Sequence, residues 1–96
     1  FNMVGSLKRY ADLGPALGAA ECRSGMTDTD RAEAAIAAVE RLADDIRVPR
    51  RLRDLNIPES GIPVMAEGVM KVTRLLANNP RAMTVQDAVA IYRSAY

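Results

Sequence analysis

Residues 28–48, DTDRAEAAIAAVERLADDIRV, decide the fold. Ala32, Ala35, Ile36, Val39, Leu42, Ala43 and Ile46 follow one another at steps of three and one, which keeps them on one stripe of a 3.6-residue helix. The run is rich in alanine, the best helix former. Thr27, Asp28 and Thr29 offer capping oxygens, and Asp28, Asp30 and Glu33 suit the positive end of the helix dipole. Pro49 cannot extend the helix and biases Val48 to extended geometry, so the helix is expected to end near Ile46 or Arg47. Glu40 and Asp44 stand one turn apart on the outer side and read as solvated charges rather than an acid/base pair.

Toward the N-terminus, Met3, Val4, Leu7, Tyr10, Ala11 and Leu13 or Gly14 recur at helical steps. Pro15 predicts a kink or a restart, with termination at Gly18. Residues 19–28 have no period and read as a loop. Cys22 lies in it beside Arg23, with neither a base nor a second thiol near in sequence, and reads as incidental.

Toward the C-terminus, Pro49 to Leu55 predicts a short helical turn with Leu52 and Leu55 inward, ended by Asn56, which tolerates the left-handed conformation. Arg47, Arg50, Arg51 and Arg53 form a basic cluster. Flanking acids Asp44, Asp45 and Asp54, and the lack of an interleaved aromatic, argue against nucleic acid. A single turn at Pro58–Ser60 leads to a helix over about Ile62 to Leu76, with Pro63 at its start. Within it, Met65 and Met70 read as core filler, and Gly68 either weakens the helix or marks close packing. Asn78-Asn79-Pro80 stops the helix, and Thr84 with Asp87 resembles a capping box opening a last helix, Val85 to Ala95. No strand pattern appears. The expectation is a single all-α domain over residues 1–96, of about four main helices plus short turns.

The bulk numbers narrow function mainly by exclusion. Ninety-six residues support one small core, and 49% apolar with 26% charged residues is a globular balance. A net charge of +1 gives no general attraction to nucleic acid or anionic membrane. No apolar run approaches the roughly 20 residues of a membrane span, and a lone cysteine fits a cytoplasmic protein. The chain has no histidine, so it lacks the commonest neutral-pH acid/base and metal ligand. Its six glycines never fall into a G-x-G-x-x-G or P-loop spacing. Phe1 in place of an initiator methionine leads us to expect a piece of a longer chain.

The ordered series of segments resembles the C-terminal helical domain of the iron-containing alcohol dehydrogenase family, with its dehydroquinate synthase-like α-domain. AAIAAVERLADDIRVP (residues 34–49) is similar to that family's alanine-rich helix ending in proline, and LRDLNIPESGIP (52–63) to its connector. Asn79-Pro80-Arg81 followed by Thr84, Asp87 and Ile91-Tyr92 looks like its closing signature. Three positions depart from the pattern. Arg47 and Asn56 stand where glycine is common, and Pro15 stands where an alanine-like residue is usual.

The resemblance implies a complete enzyme with an N-terminal domain binding NAD or NADP and a divalent metal, typically iron, held by one Asp and three His. None of those ligands carries over to this chain, which is expected to be inactive alone. It further implies an alcohol or aldehyde substrate, a homo-oligomer, and no nucleic-acid or membrane partner. Family members place side chains near the substrate a few residues before Asn-Pro-Arg. That points to Leu75 or Leu76 as pocket candidates, against the plainer reading of two core leucines. Arg81 is read as structural. The isolated chain is expected to self-associate through apolar surface that faces the missing domain. The alternative from another class is a stand-alone interaction module using the Arg47–Arg53 cluster.

Overall fold

The computed structural model describes residues 1–18 and 24–96. Its helices are α1 (Leu7–Ala16), α2 (Asp28–Asp45), α3 (Ile62–Val69), α4 (Thr73–Leu76) and α5 (Val85–Ser94). Short 3-10 turns occupy Asn2–Gly5, Leu52–Leu55 and Glu59–Gly61. There is no strand among the described residues, and the all-α expectation holds, with α4 a single turn beside four longer helices. The chain divides into two compact units, Phe1–Val48 and Pro49–Tyr96.

In the first unit α1 packs on α2. The residues buried there are small: Ala11 and Gly14 from α1, and Ala32, Ala34 and Ala35 from α2. The predicted apolar stripe of α2 therefore splits. Its alanines at 32 and 35 are covered, while Ile36, Val39, Leu42 and Ile46 stay exposed. Helix α1 runs through Pro15 without the expected restart. Two features explain this. Pro15 lies in the last turn, where Leu17 N–H already reaches the Leu13 carbonyl at 2.9 Å. Gly14 before it has no Cβ to meet the proline ring. Gly18 then takes a left-handed φ of +66°, as a helix stop requires.

Helix α2 ends in a Schellman motif. Val48 N–H bonds the Ala43 carbonyl at 2.9 Å and Arg47 N–H bonds the Asp44 carbonyl at 3.0 Å. The residue between the helix and Val48 must be left-handed, and Arg47 takes φ 58°. The Leu52–Leu55 turn ends in the same way. Ile57 N–H bonds the Leu52 carbonyl, Asn56 N–H bonds the Arg53 carbonyl, and Asn56 sits at φ 57°.

In the second unit α3 packs on α5 around Ile62, Ala66 and Ala88, with Ile62 the largest fully buried side chain. Three expectations need correction here. Leu55 is exposed rather than inward. Gly68 marks no close packing, since a Cβ built there meets nothing within 4 Å. The helix expected over Ile62 to Leu76 is broken between Val69 and Thr73. Lys71 and Val72 bond back only three residues, to Gly68 and Val69, and Val72 leaves helical geometry at ψ 59°. Gly68 and the β-branched Val69, Val72 and Thr73 make this a weak helical stretch.

Arg47 is exposed, and its left-handed backbone costs an L-residue about 1 kcal/mol that glycine avoids. Arg47→Gly is expected to raise the urea midpoint by the equivalent of about 1 kcal/mol without changing the slope. An unchanged or lowered midpoint in equilibrium denaturation counts against this account of the helix end.

Candidate functional site

The segment from α4 to the start of α5 carries the pocket candidates and is held by local bonds. Asn78 N–H and Asn79 N–H close the end of α4 on the Leu75 and Leu76 carbonyls at 3.2 and 3.0 Å. The Asn78 side-chain amide donates to the Arg74 carbonyl at 3.3 Å. Beyond it, the Asn79 amide reaches over Pro80 to the Arg81 carbonyl. The two asparagines and the proline that read as a stop thus fix a defined turn.

Helix α5 then opens with a reciprocal cap. Thr84 N–H and Oγ1 both donate to Asp87 Oδ2, at 2.9 and 2.8 Å, while Asp87 N–H donates to Thr84 Oγ1 at 3.1 Å. Thr27 and Asp30 repeat the arrangement at α2, with the corresponding contacts at 2.9, 2.6 and 3.2 Å. Aspartate thus serves where glutamate is the stricter capping-box residue. Both carboxyls are held below the usual carboxylate range. For Asp30 the Thr27 hydroxyl is the larger cause, then the Thr27 amide. For Asp87 the Thr84 amide leads, then its hydroxyl, with a minor contribution from the Arg81 charge.

Leu75 and Leu76 sit on the single turn α4. Leu75 is 61% exposed, so it is not a core leucine, whereas Leu76 is half-buried. Neither lines the small apolar cavity of this unit, about 100 Å³, formed by Val69, Met83, Ala88, Ile91 and Tyr92. Among the other sequence candidates, Glu40 and Asp44 lie exposed on α2, and Cys22 falls outside the described residues. Arg53 is engaged structurally. Its guanidinium lies 4.8 Å from the Tyr96 ring centroid and its Nε donates to the Tyr96 main-chain oxygen. Leu52 N–H adds a bond to the Ala95 carbonyl at 2.9 Å, tying the connector to the end of α5.

What this segment offers is therefore apolar surface and rigid turns rather than reacting groups. No cluster of three or more His, Cys, Asp or Glu suited to a metal occurs among the described residues, and the chain has no histidine. The donor set does not fit a bound iron. No helix of the described residues is long and apolar enough to cross a membrane.

The sequence model of the Fe-containing alcohol dehydrogenase family, C-terminal, matches residues 1–96. The chain belongs to the iron-containing alcohol dehydrogenase family. It is 38% identical to 1,3-propanediol dehydrogenase of Klebsiella pneumoniae over its whole length, which is 24% of that protein. It is 30% identical to the NAD-dependent methanol dehydrogenase of Bacillus methanolicus over 95 residues, 99% of this chain and 24% of that one. Its fold superimposes on an alcohol dehydrogenase from Oenococcus oeni with a TM-score of 0.88 at 30% identity, over 99% of this chain and 24% of that structure. The chain thus spans about a quarter of its relatives' length. A stand-alone interaction module is not supported, because the family match leaves no part of the chain unassigned and Arg53 is used internally.

A feature that sequence reading misses is the outward placement of the bulky half of the α2 stripe. The signal is present in the segregation of alanine to positions 32 and 35 from the larger residues at 36, 39, 42 and 46.

The capping boxes make stability acid-sensitive. A carboxyl whose folded pKa lies below its unfolded value stabilises the fold above that unfolded value, about 3.9, and loses this as pH falls through the folded one. Thermal melts by circular dichroism from pH 6 to pH 2 are expected to fall off below about pH 4. The Asp30→Ala, Asp87→Ala double variant is expected to be less stable at pH 6 and to lose part of that acid limb. A limb of unchanged depth in the variant rules the caps out as its source.

Proposed function

We propose that these residues form the C-terminal part of a metal- and NAD(P)-linked oxidoreductase of alcohols and aldehydes, a cytoplasmic homo-oligomer in its full-length form. The observation that carries this is the match of the family's C-terminal region over all 96 residues. On this reading the 1–96 segment is a single helical domain or part of one. The metal ligands and nucleotide site lie in the portion of the polypeptide outside it. The chain's own role is to bind and shape. Leu75, kept off the core on a turn pinned by Asn78 and Asn79, presents an apolar side chain as a wall of the substrate pocket. Such a wall excludes water from the reacting carbon and selects substrates by fit, while making and breaking no bond itself.

A chimera tests this directly. Replacing the matching quarter of the Klebsiella pneumoniae relative with this chain is expected to give NAD-linked alcohol oxidation, and the isolated 96 residues none. Turnover by the pure isolated chain defeats the placement of the chemistry outside it. In the chimera, Leu75→Ala is expected to lower kcat/KM about 10-fold, chiefly through KM, with an effect that varies with alcohol size. An unchanged kcat/KM across a series of alcohols removes Leu75 from the pocket.

A further inference from the structure

In the second unit, the turn that carries Leu75 is a block bonded to itself and joined to the helices by short non-helical links. Ala77 N–H bonds the Thr73 carbonyl at 2.9 Å, Asn78 N–H and Asn79 N–H bond the Leu75 and Leu76 carbonyls, and the Asn79 amide reaches the Arg81 carbonyl. On the α3 side, the amides of α4 reach back no further than the Val72 carbonyl, which accepts from Leu75 and Leu76 at 3.1 and 3.2 Å. Val72 itself is non-helical at φ −87°, ψ 59°, although Met70 just before it is still helical. On the α5 side, Ala82 and Met83 belong to neither helix nor turn, and Thr84 then caps α5. Packing does not hold the block either. Helices α3 and α5 bury Ile62, Ala66 and Ala88, whereas α4 buries no residue and leaves Leu75 exposed. A lone helical turn is unfavourable in water without such burial. The block therefore lies at the low end of the unit's local stabilities.

We infer that residues 73–81 are a hinged flap, turning at Val72 and at Ala82 and Met83, that closes Leu75 onto the aliphatic tail of a bound alcohol. The inference rests on the reading of Leu75 as a pocket wall and makes that wall a moving one. A ligand shifts such an equilibrium only by its differential affinity for the two states. Here the difference is apolar. Closing takes Leu75 out of water when a tail is there to cover it, and gains nothing when none is. Closure therefore grows with the length of the alcohol's chain.

Hydrogen exchange read by mass spectrometry tests it in the chimera. NADH is present, which accepts no hydride and so leaves the alcohol unreacted. Without alcohol, the five bonded amides from Leu75 to Asn79 are expected to exchange roughly 100-fold faster than those of α3 and α5. The longest linear alcohol the chimera oxidises, at a concentration that saturates its oxidation, is expected to slow the block about 10-fold. The shortest is expected to change it by less than about 2-fold, with α3 and α5 unaffected by either. In Leu75→Ala the effect of the long alcohol is expected to disappear. Block amides as slow as those of α3 before alcohol is added overturn the flap, and so does a block that the long alcohol does not slow. Slowing spread equally over α3 and α5 is the mark of general stabilisation by ligand and overturns it too, as does slowing that persists in Leu75→Ala. Grafting residues 62–84 alone into the Klebsiella pneumoniae relative gives the same readouts if the larger chimera does not fold. Turnover is read separately. Where Leu75→Ala alters kcat/KM but the block's exchange ignores the long alcohol, the flap fails and the wall stands. Where Leu75→Ala leaves kcat/KM unchanged across the alcohols, the wall reading itself fails.

Discussion

The first unit depends on a contact between side chains of minimal size. Ala11 and Gly14 meet a helix whose covered face is Ala32, Ala34 and Ala35. Small residues let two helices approach at the short end of the roughly 8–10 Å range. A contact made by such small groups has a geometric consequence. Anything larger than a methyl group must sit at the flanks of the contact, and Leu13, Leu17, Ile36 and Val39 do. Energy follows from that geometry. A methyl-sized group yields about 0.8 kcal/mol on burial, whereas a fully buried leucine or isoleucine yields about 1.5–3 kcal/mol. The contact thus fixes how α1 and α2 sit while leaving most of the available apolar energy unused. The second unit relies on similarly few groups, with Ile62 its one large buried anchor between two alanines.

Helix termination is the second constraint, and it is met through the backbone more than through glycine. Two chain reversals place Arg47 and Asn56 in the left-handed region, each followed by a bond from the next amide to a carbonyl five residues back. Those paired bonds satisfy carbonyls that a helix end otherwise leaves open. For asparagine the conformation is nearly free; for arginine it is held against a steric preference. The Schellman bonds at Val48 and Arg47 are what hold it, at distances no longer than 3.0 Å.

Local chemistry was legible in the sequence wherever a single residue type dictates a backbone outcome. Thr84 caps because a hydroxyl three residues ahead of an aspartate closes a reciprocal bond pair, and Asn78-Asn79-Pro80 stops a helix because proline lacks a donor; at α2 the sequence left the cap open among Thr27, Asp28 and Thr29, and the structure selects Thr27 with Asp30. The identity of the family was legible from the order of such segments. Facing was not. Periodicity places Ile36, Val39, Leu42 and Ile46 on one stripe, yet which arc of a stripe is covered depends on the partner helix, and α1 presents alanine and glycine. The break after Val69 was hidden for a related reason. Helix propensity differences of a few tenths of a kcal/mol per residue decide nothing until packing does, and Met70 to Val72 lack the burial that holds α3 and α5 in place. At the candidate site the sequence does not distinguish Leu75 from Leu76, and only exposure separates the outward leucine from the half-buried one.

The absence of histidine, which first looks like a negative result, gives the pocket candidates their meaning. The role proposed for Leu75, a wall, asks for shape and position but for no titratable neighbour tuned to it. Position comes from backbone bonds at both ends of its turn, from Asn78 and Asn79 on one side and Val72 on the other. A reacting group has stricter needs, since its pKa and hydrogen-bond partners must be set together within a few tenths of an ångström. An arrangement in which this segment supplies only apolar contact can therefore tolerate a short, interrupted helix such as α4, where a catalytic centre could not. The broken helix that sequence periodicity missed suits the proposed division of labour: the second unit spends its regular structure on α3 and α5, and the turn between them is left with exposed apolar surface.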